Sequence, residues 1–145
     1  TTWFPSYGAE MRGGTAHCYV KISTRSIASP LVETPDIAVI MNQPSLDKFE
    51  KKIRPGGLLI LNSDLTEQSS RKNIHKIIYP LNTLAREFTG SVIPANMIAL
   101  GLLVKHNPSL FSKKTVLNVL KDTFRRRETV LQNNITAFRK GVSLD

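Results

Sequence analysis

Cysteine is almost absent from this chain: Cys18 stands alone among 145 residues. One thiol excludes an internal disulfide and any zinc or iron–sulfur site built from cysteines of this chain alone. It also makes the reducing cytoplasm the expected compartment. No apolar run approaches the ~20 residues a bilayer span needs, and no basic–apolar–small leader points to secretion. Neither a membrane nor an export route is expected. Acidic residues are scarce, 11 against 20 Lys and Arg, which leaves a net charge of +9. Aromatics make up 7%, with one Trp, and none is interleaved with the basic clusters, so a base-stacking surface for nucleic acid has little support. There is no G-x-G-x-x-G, the Gly-rich turn that opens most dinucleotide-binding sheets, and this argues against an independent dehydrogenase. His17, His75 and His106 are far apart and lack a companion at metal-ligand spacing. No metal site and no catalytic residue is expected in the chain itself.

What is there suits one domain with a substantial core, since a chain of this size buries roughly 70% of its unfolded surface. The hydrophobic fraction is 41%. The positive charge is uneven: residues 1–90 carry 11 basic and 8 acidic side chains, and residues 91–145 carry 9 and 3. Such a balance is compatible with nucleic acid, anionic cofactors or acidic protein partners.

The local patterns are those of an α/β protein. "TTWF" reads as a strand from the first residue, and His17–Ser23 alternates as a second. Asp36–Met41 and Leu58–Asp64 are short continuous apolar runs that suit strands buried on both faces. Between them, "NQPSLDKFEKKIRPGG" spaces Leu46, Phe49 and Ile53 as a helix, with Asn42 or Ser45 as cap and Pro55 and two glycines as its stop. Ile74–Asn82 holds a further short strand that Pro80 interrupts. The remainder is helical: a short "TLAREF", then Pro94–Asn107, a helix capped by Ser112, and a last one in which Gly141 is a natural C-cap. Arg125–Arg127 and Lys113–Lys114 fall on predicted helices, where charge is usually a solvated face.

Two blocks carry more than fold. "PSYGAEMRGGTA" (Pro5–Ala16) places Arg12 before two glycines. Gly13 and Gly14 can expose successive N–H groups as an anion-binding nest, and Arg12 adds a planar cationic fork. The plain alternative is a turn in which Arg12 pairs with Glu10. "MNQPSL" sets Asn42 and Gln43 after a buried strand and before a helix, the edge where ligands gather in open α/β sheets; the plain alternative there is a helix cap. "NSD" (Asn62–Asp64) follows the next strand in the same way and reads as structural.

With the later "IPANMIALG" and "NNITAFRKG", these blocks resemble the gamma subunit of 2-oxoacid:ferredoxin oxidoreductases, collinearly and over nearly the whole chain. The W-x-P-S-Y-G-x-E-M-R-G-G-T-A form looks most like the 2-oxoglutarate and branched-chain 2-oxoacid branches. The resemblance implies a Rossmann-like three-layer αβα domain with a mostly parallel sheet, residues 1–145 forming one gamma domain. It implies a complex that converts a 2-oxoacid and coenzyme A to acyl-CoA and carbon dioxide while reducing ferredoxin. Thiamine diphosphate, magnesium and iron–sulfur clusters would sit on the thiamine-binding and ferredoxin-like partners. The gamma chain would pack on the thiamine-bearing part and help bind coenzyme A. The residues expected to meet coenzyme or partner are Ser6, Tyr7, Gly8, Glu10, Arg12, Gly13, Gly14, Asn42 and Gln43. The family opens with a strand and a G-x-G-G-x-G turn that this sequence does not show, so the domain is expected to be incomplete at its N-terminus. The competing expectation is a stand-alone basic nucleic-acid-binding module.

Overall fold

In the computed structural model, residues 1–6 and 16–145 are described. Strands β1 (Thr2–Ser6) and β2 (His17–Lys21) pair antiparallel, with Trp3 opposite Val20 and Ser6 opposite His17. They form a ribbon of their own. The central sheet is built from β3 (Ile37–Ile40), β4 (Leu58–Asn62) and β5 (His75–Tyr79), all parallel, with β4 in the middle.

The apolar run of β4 forms a strand buried on both faces, whereas the outer strands are covered unevenly: Val39 of β3, expected to be buried like its neighbours, and Ile78 of β5 are each 43% exposed. Leu59 and Leu61 of β4 point to one side, where they pack with Ile40, Leu46 and Ile53. Those partners come from β3, helix α1 (Gln43–Phe49) and, for Ile53, the residue that caps the 3-10 turn Glu50–Lys52 extending that helix. Ile60, one residue out of phase, points to the other side. There it joins Leu81 and Ala85 of α2 (Leu81–Thr89), Ile98 and Leu102 of α3 (Ala95–His106) and Ala137 of α5 (Glu128–Ser143). Helix α4 (Lys113–Phe124) lies beyond, its Val116 and Leu120 sharing a second helical core with Val104, Leu131 and Phe138. The expected three-layer α/β arrangement is therefore present around a parallel sheet.

A parallel pair needs a crossover of a dozen or more residues, usually a helix. Between β4 and β5 the crossover, residues 63–74, has no helix, and side chains hold it instead. The Arg71 guanidinium donates to the carbonyls of Glu50, Lys51 and Ile53 and to Asn73. Glu50, only 8% exposed, accepts from the Ser70 hydroxyl and the Arg71 N–H. Burial pushes the Glu50 carboxyl up, but the neighbouring donors on Ser69, Arg71 and Ser70 outweigh it and hold the group below the ordinary carboxylate value.

Several boundaries differ from the sequence expectations. The cap of α1 is Asn42, whose Oδ1 accepts from the Ser45 N–H at 3.0 Å; Ser45 lies inside the helix. Helix α2 begins at Leu81 directly after Pro80 and ends on Gly90 at φ +73°, so it is longer than "TLAREF". Arg125–Arg127 lie in the turn between α4 and α5, not on a helix. Gly141 is not a cap, because α5 runs through it to Ser143. Its role is contact: a Cβ there would meet the Ile98 carbonyl oxygen at 2.1 Å, and one on Gly101 would meet that of Phe138 at 2.3 Å. The two glycines let α3 and α5 approach backbone to backbone. Ser112 caps α4 as expected, accepting from the Thr115 N–H at 3.1 Å.

Candidate functional site at the carboxyl edge of the sheet

The carboxyl ends of β3, β4 and β5 bring together Asn42–Gln43, Asn62–Asp64 and Leu81–Thr83. Asn62 is their centre and is fully buried. Its Oδ1 accepts from the N–H groups of Leu81 at 3.0 Å and Asp64 at 3.3 Å. Its Nδ2 donates to Asn82 Oδ1 at 3.1 Å and to the Met41 carbonyl at 3.4 Å. One amide thus ties the ends of two strands to the start of α2. Asp64 completes the edge, accepting from the Thr83 N–H and hydroxyl at 2.8 and 2.9 Å. A carboxylate at that position also suits the positive end of the α2 dipole.

Of the residues expected to meet a coenzyme or partner, Asn42 and Gln43 stand at this edge. Both are engaged inward. Asn42 caps α1, while Gln43 accepts from the Glu67 N–H at 2.7 Å and donates to Asp47 at 2.8 Å. Gln43 therefore pins the crossover to α1, which favours the plainer role for this block. Ser6 ends β1, paired with His17. Tyr7, Gly8, Glu10, Arg12, Gly13 and Gly14 lie outside the described residues. Asn62 and Asn82 were legible only as polar residues after a strand; their importance rests on a contact between residues twenty apart.

The β1–β2 ribbon leans on α1. The His17 ring lies 4.9 Å from that of Phe49 and 5.4 Å from that of Tyr19, centroid to centroid. Burial, then the charges of Lys48 and Lys52, lower the His17 pKa. His75 and His106 sit elsewhere, in an open cleft of 730 Å³ at the amino ends of the strands, with Val20, Ile37, Arg54 and Leu110. Among the described residues no three His, Cys, Asp or Glu are grouped to hold a metal ion, and no helix is long and apolar enough to cross a membrane. A four-cysteine cluster does not fit a chain with one cysteine.

The fold and this edge define an α/β domain that presents its interstrand loops at the carboxyl ends of a parallel sheet. The chain belongs to the pyruvate ferredoxin/flavodoxin oxidoreductase family, whose model matches residues 1–144. Ketoisovalerate oxidoreductase subunit VorA of Methanothermobacter marburgensis is 33% identical over 97% of this chain, and 2-oxoglutarate synthase subunit KorC of Methanocaldococcus jannaschii is 31% identical over 94%. The chain spans 29% of the length of VorA and 72% of that of KorC. Among solved structures, the gamma subunit of a keto/oxoacid ferredoxin oxidoreductase from Geobacter sulfurreducens aligns with a TM-score of 0.74 and 26% identity, over 97% of this chain and 76% of that one. A 2-oxoglutarate:ferredoxin oxidoreductase from Magnetococcus marinus, solved with 2-oxoglutarate, coenzyme A and succinyl-CoA bound, aligns at 0.81 and 29%, over 97% of this chain and 25% of that one. A match of this extent to an oxidoreductase family does not favour the nucleic-acid module.

Proposed function

We propose that residues 1–145 form a single gamma-type domain of a cytoplasmic, thiamine-diphosphate-dependent 2-oxoacid:ferredoxin oxidoreductase, with 2-oxoglutarate as the 2-oxoacid. The complex converts the 2-oxoacid and coenzyme A to acyl-CoA and carbon dioxide and reduces ferredoxin. The observation that carries this is the match to KorC, a 2-oxoglutarate synthase subunit, over 94% of this chain and 72% of that one. Thiamine diphosphate with magnesium supplies the carbanion chemistry, and iron–sulfur clusters the electron path, on partner parts of the complex. The work of this chain is to pack on the thiamine-bearing part and to help hold coenzyme A.

The chemistry of the Arg12-Gly13-Gly14 block supports that role. Coenzyme A presents phosphates, and a guanidinium beside two glycines offers a fork of donors with room for close approach. Ser6, Tyr7, Gly8 and Glu10 shape the same block.

Arg12→Ala tests this in the reconstituted complex. A charge-assisted hydrogen bond contributes about 1.5–3 kcal/mol, or roughly 10- to 150-fold in affinity. The apparent Michaelis constant for coenzyme A, or the assembly constant, is expected to weaken by that factor, with little change in the melting temperature of the chain. Arg12→Lys recovers part of the loss, since a point charge does not replace a fork. If Arg12→Ala leaves both constants unchanged, Arg12 only pairs with Glu10 on the surface, where such pairs are worth about 0–1 kcal/mol.

A further inference from the structure

More than half of the chain's net charge of +9 sits on α4 and the turn after it. Residues 113–127 hold six basic side chains and one acid, Asp122, a net +5. The ion pairs among the described residues are Arg54–Asp36 and Lys105–Asp145, so Asp122 pairs with none of the six. Glu128, the next acid, accepts from Gln132. The helix itself sorts these cations. Arg125 keeps helical backbone, φ −49° and ψ −27°, so the 100° step per residue carries through it. Lys114, Lys121 and Arg125 then fall within about 40° of one another around the axis, with Asn118 beside them. All four are exposed, on the side away from Val116 and Leu120, which α4 buries. At the end of this stripe, Arg125, Arg126 and Arg127 line one hollow of 550 Å³ with Asp122, Thr123 and Phe124.

A solvated helix face normally mixes the two signs, so that residues four apart attract. Lys121 and Arg125 are four apart and alike in charge, which weakens the helix that carries them. An acidic surface laid along the stripe turns that repulsion into attraction. We infer that the outer stripe of α4 and its arginine hollow form a docking surface for an acidic helix of a partner protein. The occupant follows from charge and spacing. The stripe steps about 10.5 Å from Lys114 to Lys121 and about 6 Å from Lys121 to Arg125. Carboxylates at the same intervals on a second helix meet every charge. The hollow offers guanidinium forks, which suit a carboxylate bidentately. No aromatic stands free beside it to stack a base, because Phe124 packs against the second helical core. The surface shares no residue with the 6–14 block or with the carboxyl edge of the sheet, so its failure leaves the role proposed for Arg12 untouched.

The probe is a synthetic helical peptide with glutamates at i, i+4 and i+11, titrated into the whole chain at 0.15 M salt while the backbone amides are followed by NMR. A scrambled peptide of equal charge, a 20-base-pair DNA duplex and phosphatidylserine vesicles are titrated beside it. The ordered peptide is expected to shift the amides of α4 and of residues 125–127 and to bind several-fold tighter than each of the other three. Exposed ion pairs set a loss of about threefold per charge, so the triple variant Lys121→Gln, Arg125→Gln, Arg126→Gln is expected to bind roughly 30-fold more weakly. Lys51→Gln, Lys52→Gln, Lys72→Gln removes the same charge from the other side of the sheet and is expected to stay within about threefold of the parent. The first triple variant is also expected to melt no lower than the parent, since it relieves a like-charge pair. If the scrambled peptide binds equally, or the two triple variants lose alike, only the overall charge acts and the proposal is overturned. Tighter binding of the duplex or the vesicles overturns it as well.

Discussion

At the residue scale, polar side chains here act as fasteners. Asn62 joins two strand ends and a helix start through one amide. Glu50 joins the α1 segment to a crossover that has no helix of its own. Its lowered pKa has a consequence for stability. A carboxyl whose folded pKa lies below its unfolded value contributes stability above that unfolded value, near 4.3, and the contribution is lost as pH falls through the folded one. Glu50→Gln loses two charged acceptor contacts, each worth about 1.5–3 kcal/mol at most for a fully paired group. We therefore expect Glu50→Gln to lower the melting temperature at pH 7 and to lose less than the parent between pH 5 and pH 3.5. Parallel melts at those pH values check this; identical acid losses in the two proteins would show that Glu50 does not drive them. Such fasteners were hard to see in the sequence. Asn42 was readable as a cap because its partner is three residues away. The partners of Asn62 and Glu50 are about twenty residues away, and local pattern does not encode them.

At the element scale, hydrophobic periodicity carried far. β4 was legible because a strand buried on both faces is a continuous apolar run, and alternate residues of β4 do serve separate cores; the apolar run of β3 also gave a strand, but one that leaves Val39 exposed. The failure at Gly141 is instructive. Glycine near the end of a helical pattern usually signals a stop, yet here the helix continues and the missing Cβ is what the crossing with α3 requires. Only the partner element distinguishes the two roles. Gly141→Ala puts a methyl 2.1 Å from the Ile98 carbonyl oxygen, and Gly101→Ala puts one 2.3 Å from that of Phe138. These obstacles are backbone, so the helices must separate. Overpacking of this kind costs about 1–3 kcal/mol, occasionally more, and the upper end is expected here. That corresponds to a fall of roughly 10 °C in melting temperature for a domain of this size. The double variant is expected to cost less than the sum, since one separation relieves both contacts. Thermal denaturation of the three variants checks this, and a loss below about 0.5 kcal/mol for either single variant would mean that the crossing is looser than its geometry.

At the scale of the whole molecule, the chain carries a surplus of positive charge, and the function proposed above makes it a scaffold whose chemistry depends on what it joins. The α/β class and the family were both readable, because the blocks around Arg12 and Asn42 are collinear with those of relatives along nearly the entire length. The separate β1–β2 ribbon was not, since strand patterns do not say which strands pair. One cysteine cannot supply a cluster, and the carboxyl edge is a lattice of satisfied amides and a capping carboxylate. Groups already bonded to one another are poor acids, bases or nucleophiles, because each must first break its own contact to react. The purified chain is therefore expected to show no turnover with 2-oxoglutarate, coenzyme A, thiamine diphosphate, magnesium and an electron-accepting dye, and to support turnover once thiamine-binding and ferredoxin-like partners are added. With a net charge of +9, its association with acidic partners is expected to be fast at low salt and to slow as ionic strength rises past about 0.15 M, where charges are screened within about 8 Å. Stopped-flow association across a salt series, beside the dye assay, checks both. Turnover by the chain alone would place the reacting groups on it and would overturn the accessory role.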